Sequence, residues 1–178
     1  SNASRPIKDE EVALCGEAGI EFYEVPLAYD GLTVVVSQDN DWAECLTIDQ
    51  LNTAWSPDSE GSVATWDQID PSFPGEDLAL YGPGADSGTF DYFTDEVNGE
   101  EGASRGDYTA SEDDNVIVTG VQNASGGMGY LGYAYYEENQ GSLKSVAIEN
   151  EAGDCVSPEP ATIADGSYNP MSRPLFFY

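Results

Sequence analysis

Histidine is absent from this 178-residue chain, and cations are scarce: five Lys and Arg face 34 Asp and Glu, a formal net charge of −29. The missing histidine excludes imidazole acid–base catalysis and histidine metal ligation. Five cations are too few to neutralise a run of phosphates, which all but excludes DNA and RNA as partners. Cysteine is sparse as well. Cys15, Cys45 and Cys155 are widely spaced, with no Cys-x-x-Cys pair, which argues against a thiolate metal site. One disulfide plus one free thiol is an arrangement they allow in an oxidising compartment, and the spacing does not say which two pair. Long apolar runs are missing too: the best, residues 32–36, is far too short to cross a membrane. There is no internal repeat and no low-complexity segment.

What is present suffices for a folded core. Hydrophobic residues make up 40% of the chain and aromatics 11%, spread along its length, which argues against disorder despite the charge. Most of the carboxylates have no cation to pair with and must be hydrated at the surface. Their self-repulsion is tolerable where salt shortens the screening length to about 3 Å, as at 1 M. The composition therefore reads as that of a protein from a high-salt milieu, or of an acidic secreted one. Ser1-Asn2-Ala3 reads as a scar left by tag removal.

Hydrophobic periodicity alternates between helix and strand, which defines an α/β class. The pattern predicts a helix over 7–15 and strands over 22–27 and 32–36, the second fit for a sheet buried on both faces. A helix over 47–55 is signalled by Thr47 and Gln50 as a capping box, with Ile48, Leu51 and Trp55 on one stripe and Pro57 beyond its end. A strand over 78–81 and a helix over 88–97 flank Gly82-Pro83-Gly84, and another helix follows Ser111, with Asp114 as its capping partner. A strand over 128–131, a helix over 133–139, and strands over 143–148 and 175–178 complete the pattern.

The most informative local feature is Asp86-Ser87-Gly88-Thr89, which follows a strand and opens a helix. A helix N-terminus presents unpaired N–H groups and the positive end of a dipole, and both favour oxyanions. Hydroxyls of Ser87 and Thr89 add donors, and Gly88 lets a ligand approach the backbone; the plainer reading is that Ser87 only caps the helix. The second feature is arginine placement. All three arginines follow a serine, as Ser4-Arg5, Ser104-Arg105 and Ser172-Arg173. A guanidinium is suited to bidentate oxyanion recognition, so Arg5 and Arg105 are expected to contact a ligand and Arg173 to pair with an acid. The run from Ser111 to Asn115 lacks calcium-loop spacing and reads as a helix cap. Ser87 has no histidine to activate it as a nucleophile.

Residues 81–93, 104–115, 129–136 and 172–176, together with 3–31, resemble, in order, the phosphate-binding proteins of ABC importers, PstS-like members of the type II periplasmic binding proteins. The resemblance corresponds to the C-terminal two-thirds or so of a family member. It implies two α/β lobes joined by crossing strands, with residues 4–36 in the first lobe and a crossing strand, 37–127 as the second lobe and 128–178 as the return crossing and remainder of the first. A first lobe incomplete in this way would expose a sheet edge and invite dimerisation or swapping. The resemblance also implies a non-enzymatic phosphate receptor outside the cytoplasm, without cofactor or metal, serving a membrane permease. Ser87, Gly88 and Thr89 match the family's anion loop, with Asp86 beside it. Ser4-Arg5 falls where some members have Ser-Asp, and Pro83 where some have an arginine; Arg105 is expected to supply that missing guanidinium. A sensor or adhesion module of the same fold, or a receptor for another oxyanion, is the alternative reading.

Overall fold

The computed structural model describes residues 2, 3 and 6–178. Ser4 and Arg5, two of the expected ligand contacts, lie outside the described residues.

A 13-residue strand, β2 (Val25–Ser37), is the axis of the fold. Its second half carries Thr33-Val34-Val35-Val36, a β-branched run with every residue at most 1% exposed. That half pairs antiparallel with both β6 (Gly127–Gly132) and β7 (Leu143–Ser145). Its first half pairs antiparallel with β10 (Ser172–Phe177), which in turn carries the short β1 (Asn2–Ala3). On the far side of β6 lie β4 (Ala79–Gly82) and β5 (Thr109–Ala110), both parallel additions. The seven strands therefore run β1-β10-β2-β6-β4-β5, with β7 against β2.

Alternation along β2 divides the core between two faces. Val34 and Val36 join Met128 and Tyr130 under α2 (Ile48–Trp55) and α3 (Gly88–Asn98), where Trp55 and Trp66 are fully buried. Val35 and Leu131 face the other way, onto Ile117, Val118 and Val121 of α4 (Asp114–Gln122). Phe93 stacks on Tyr130 at 3.8 Å between centroids, and Trp55 meets both edge-on. A second, three-stranded sheet joins β3 (Cys45–Leu46), β8 (Ala147–Glu149) and β9 (Cys155–Val156). Cys45 and Cys155 form a disulfide across it, leaving Cys15 as the free thiol. No helix among the described residues is long and apolar enough to cross a membrane.

Three expectations change in the structure. The strands expected over 22–27 and 32–36 are one continuous strand, because β10 pairs straight through residues 28–31 between them, matching Arg173 to Asp30 and Ser172 to Gly31. Glycine is needed there for contact rather than for a turn: a Cβ at Gly31 would lie 2.5 Å from Ile163 Cδ1. The strand expected over 143–148 splits at Val146 into β7 and β8, which belong to different sheets. The cap of α4 is Asp113, whose carboxylate accepts from Asn115 N at 3.0 Å, while Ser111 Oγ accepts from Asp113 N one step earlier.

The first helix, α1 (Asp9–Glu17), buries no residue, and Leu14 is 65% exposed on it. Ile20, Tyr23, Val25, Leu27 and Phe177 are exposed beside it, so the start of β2 and the end of β10 carry an uncovered apolar surface.

Candidate anion-binding site

The segment between β4 and α3 exposes the backbone at Gly88, while Phe90 two residues on is buried. β4 ends at Gly82, held under two tyrosines: a Cβ there would meet Tyr130 Cε1 at 3.0 Å and Tyr108 Cε2 at 3.4 Å. The chain then turns at Ala85-Asp86, and Ser87 N donates to Gly84 O at 3.2 Å to close the turn. Ser87 then caps α3, its Oγ accepting from Thr89 N at 3.2 Å, and its carbonyl accepts the first intrahelical bond, from Asp91 N. Gly88 is exposed, and a Cβ at that position would meet nothing within 4 Å. Among the described residues, the Gly88 N–H, the Phe90 N–H and the Thr89 hydroxyl donate no hydrogen bond, as a helix start allows. Asp86 is exposed at the approach to this loop.

A groove of about 350 Å³ runs beside α3, lined by Gly88, Asp91, Tyr92, Glu96 and Arg173 among others. Arg173 pairs with Asp30 at 3.3 Å, as expected of it, and lies 4.3 Å from the centre of the Tyr92 ring. The Tyr92 hydroxyl donates to the carbonyls of Pro170 and Ser172, tying α3 to β10. Burial, then the Glu96 carboxylate, raises the Tyr92 pKa, so the hydroxyl keeps its proton. Glu96 is itself raised, by burial first and then by Asp95 and Glu151.

Arg105, expected at the ligand, is 6% exposed, and its hydrogen-bond partners all lie outside residues 82–89. Its Nε and Nη2 hold Asp107 bidentately at 2.5 and 2.9 Å, and Nη1 donates to the carbonyls of Ala54 and Val63 at 3.0 Å each. Four hydrogen bonds occupy a group with five N–H donors. The hydrogen bonds from Arg105 hold the Asp107 carboxyl below the usual carboxylate range. Thus the structure joins Asp86, Ser87, Gly88 and Thr89 in one place and puts Arg105 in another.

Two residues at the loop were not singled out from the sequence. Tyr108 donates its hydroxyl to Pro83 O at 2.8 Å. Glu112 lies over Gly84, where a Cβ would come within 2.0 Å of its Oε1. The pattern Arg105-x-Asp107, which puts opposite charges on one side of an extended segment, was the available signal for a local clamp.

The whole chain, residues 1–178, matches the PBP superfamily domain, and the chain belongs to that superfamily. It is 46% identical over all its 178 residues to Protein SphX of Synechococcus elongatus, and 42% identical to the phosphate-binding protein PstS of Staphylococcus saprophyticus. It spans about half the length of these relatives, 52% and 53%. Among crystal structures it resembles that of a possible phosphate binding protein from Planctomyces limnophilus, with TM-score 0.89 and 46% identity over 98% of this chain and 61% of that one. An ABC-type phosphate transport receptor from Vibrio cholerae, 22% identical with TM-score 0.72 over 99% of this chain and 66% of the other, shares the fold.

Proposed function

We propose that this chain belongs to the solute-binding component of an ABC importer and takes phosphate at the N-terminus of α3. The observation that carries the reading is the Ser87-capped helix start, where Gly88 leaves the backbone open to an anion. The likeness to phosphate-binding relatives along the full chain supports it. On this reading the Gly88 and Phe90 N–H groups and the Thr89 hydroxyl replace water around the anion, and closure of two lobes, 37–127 against 4–36 with 128–178, completes its desolvation. No covalent step is involved. Ser4 and Arg5 are retained as contacts from the other lobe.

The Cys45–Cys155 disulfide fits an extracytoplasmic site of action, and the −29 charge fits a salty one. The partner is a membrane permease of the importer. Self-association through the exposed apolar surface of β2 and β10 is a further partner reading, tested by light scattering across concentration. Calorimetric titration with phosphate tests the site itself. Thr89→Val should weaken binding by about 10- to 150-fold, the scale of a lost hydrogen bond of about 1.5–3 kcal/mol to a charged group. Unchanged affinity would remove the loop from the site.

A further inference from the structure

A chain with only five cations buries one of them, Arg105. Arg105 fastens the segment before β5 to the end of α2. Besides its side-chain bonds, its backbone N donates to Trp55 O at 3.1 Å. Asp107 extends the clamp by accepting from Gly61 N at 3.0 Å, and Glu60 accepts from Gly106 N at 2.8 Å. The next residue is Tyr108. Its ring stands edge-on to Trp55 at 5.5 Å, and its hydroxyl reaches forward to Pro83 O. Three residues on, Ser111 N donates to Gly82 O at 3.0 Å. Two consecutive carbonyls at the root of the anion loop are therefore held from one clamped segment. The carbonyl after them, Gly84 O, accepts from Ser87 N, the cap of α3.

We infer that Tyr108 is a positioning residue for the anion loop, and that Arg105 acts on the anion through Tyr108 without touching it. This inference rests on the proposed site at α3 for its effect on binding, though not for its effect on the loop. Pro83 has no N–H, so its carbonyl is its one backbone hydrogen-bonding group, and Tyr108 is what fixes it. Removing that bond frees the Pro83–Gly84 peptide to rotate and misdirects the Gly88 and Phe90 N–H groups.

Hydrogen exchange by NMR and phosphate titration on the full-length protein, as Tyr108→Phe and Arg105→Lys, test this together. In Tyr108→Phe the Ser87 and Asp91 amides should exchange about tenfold faster while amides of β6 keep their rates; in Arg105→Lys, which also loosens the clamp on α2, the same two amides should accelerate by more than any change in β6. Phosphate affinity should fall roughly three- to tenfold in Tyr108→Phe, with a melting temperature within a few degrees of the parent. Unchanged exchange at Ser87 and Asp91 in Tyr108→Phe overturns the inference. So does an equal acceleration in β6, which would mark Tyr108 as merely structural. If the parent protein binds no phosphate, the site reading fails, and the exchange rates alone still decide the role of Tyr108. If Thr89→Val loses affinity and Tyr108→Phe does not, the site stands and the inference falls.

Discussion

Replacing Arg105 by Met removes the charge while keeping an unbranched side chain of similar reach. The two carbonyls on Nη1, Ala54 O and Val63 O, lose their donor, and the Asp107 carboxylate loses both of its bonds to the guanidinium. Breaking a buried ion pair by removing one partner costs about 3–5 kcal/mol. Here the cost is lower, because the Asp107 side chain is 37% exposed and water can take over its solvation. About 2–3 kcal/mol remains, most of it from the two carbonyls facing an apolar side chain. At roughly 2–4 °C per kcal/mol for a chain of this size, the melting temperature should fall by about 4–12 °C. Thermal denaturation followed by circular dichroism at fixed salt reads this directly. A fall of less than 2 °C would refute the claim that Arg105 is a structural clamp and return it to the list of ligand contacts.

Acid should undo the same clamp. The Asp107 carboxyl is held low by Arg105, so its contribution is complete above the unfolded value near about 3.9 and is lost as pH falls through the depressed folded value. Melting temperatures below pH 4 should therefore drop less steeply for Asp107→Asn than for the parent, and parallel curves would contradict this. Reducing the Cys45–Cys155 bond opens a span of 110 residues and should cost about 2–4 kcal/mol, read as a lower melting temperature with reductant and a rise from one to three titratable thiols. Gly120→Ala would press a methyl to 2.3 Å from the Tyr81 ring and should destabilise by about 1–3 kcal/mol, checked by urea unfolding. Raising salt from 0.1 to 2 M should raise the melting temperature as the −29 charge is screened; a flat response would remove the high-salt reading.

Much of the fold was legible where a local signal and the tertiary context agree. The capping box of Thr47 and Gln50 forms as expected, with bonds of 3.1 and 2.9 Å, and α3 begins at Gly88 and ends against Gly99 in the left-handed conformation. Where context overrides local chemistry, the reading departs from the structure. Residues 28–31 fall between the two expected strands, but neighbouring β10 supplies partners that keep the strand running. Val146 falls in the middle of the expected strand over 143–148, and only the two sheets it separates reveal the break. Two-residue strands such as β3 and β9 carry no periodicity of their own, and the disulfide that joins them spans too much sequence to be read from spacing. In the candidate site, Ser87-Gly88-Thr89 is contiguous and so stands out in the sequence. Arg105 was visible as a retained cation, but its partners at Ala54 and Val63 are some 50 and 40 residues away. Only the fold shows that its fork is already engaged.

Whether the start of α3 receives phosphate can be read residue by residue. The most direct measurement is a residue-resolved NMR titration of amide resonances with phosphate, against sulfate and chloride, at high constant ionic strength. Phosphate should give saturable shifts at Gly88, Thr89 and Phe90, and chloride none. Saturable shifts confined to other residues, with these three unmoved, would contradict phosphate binding at the start of α3.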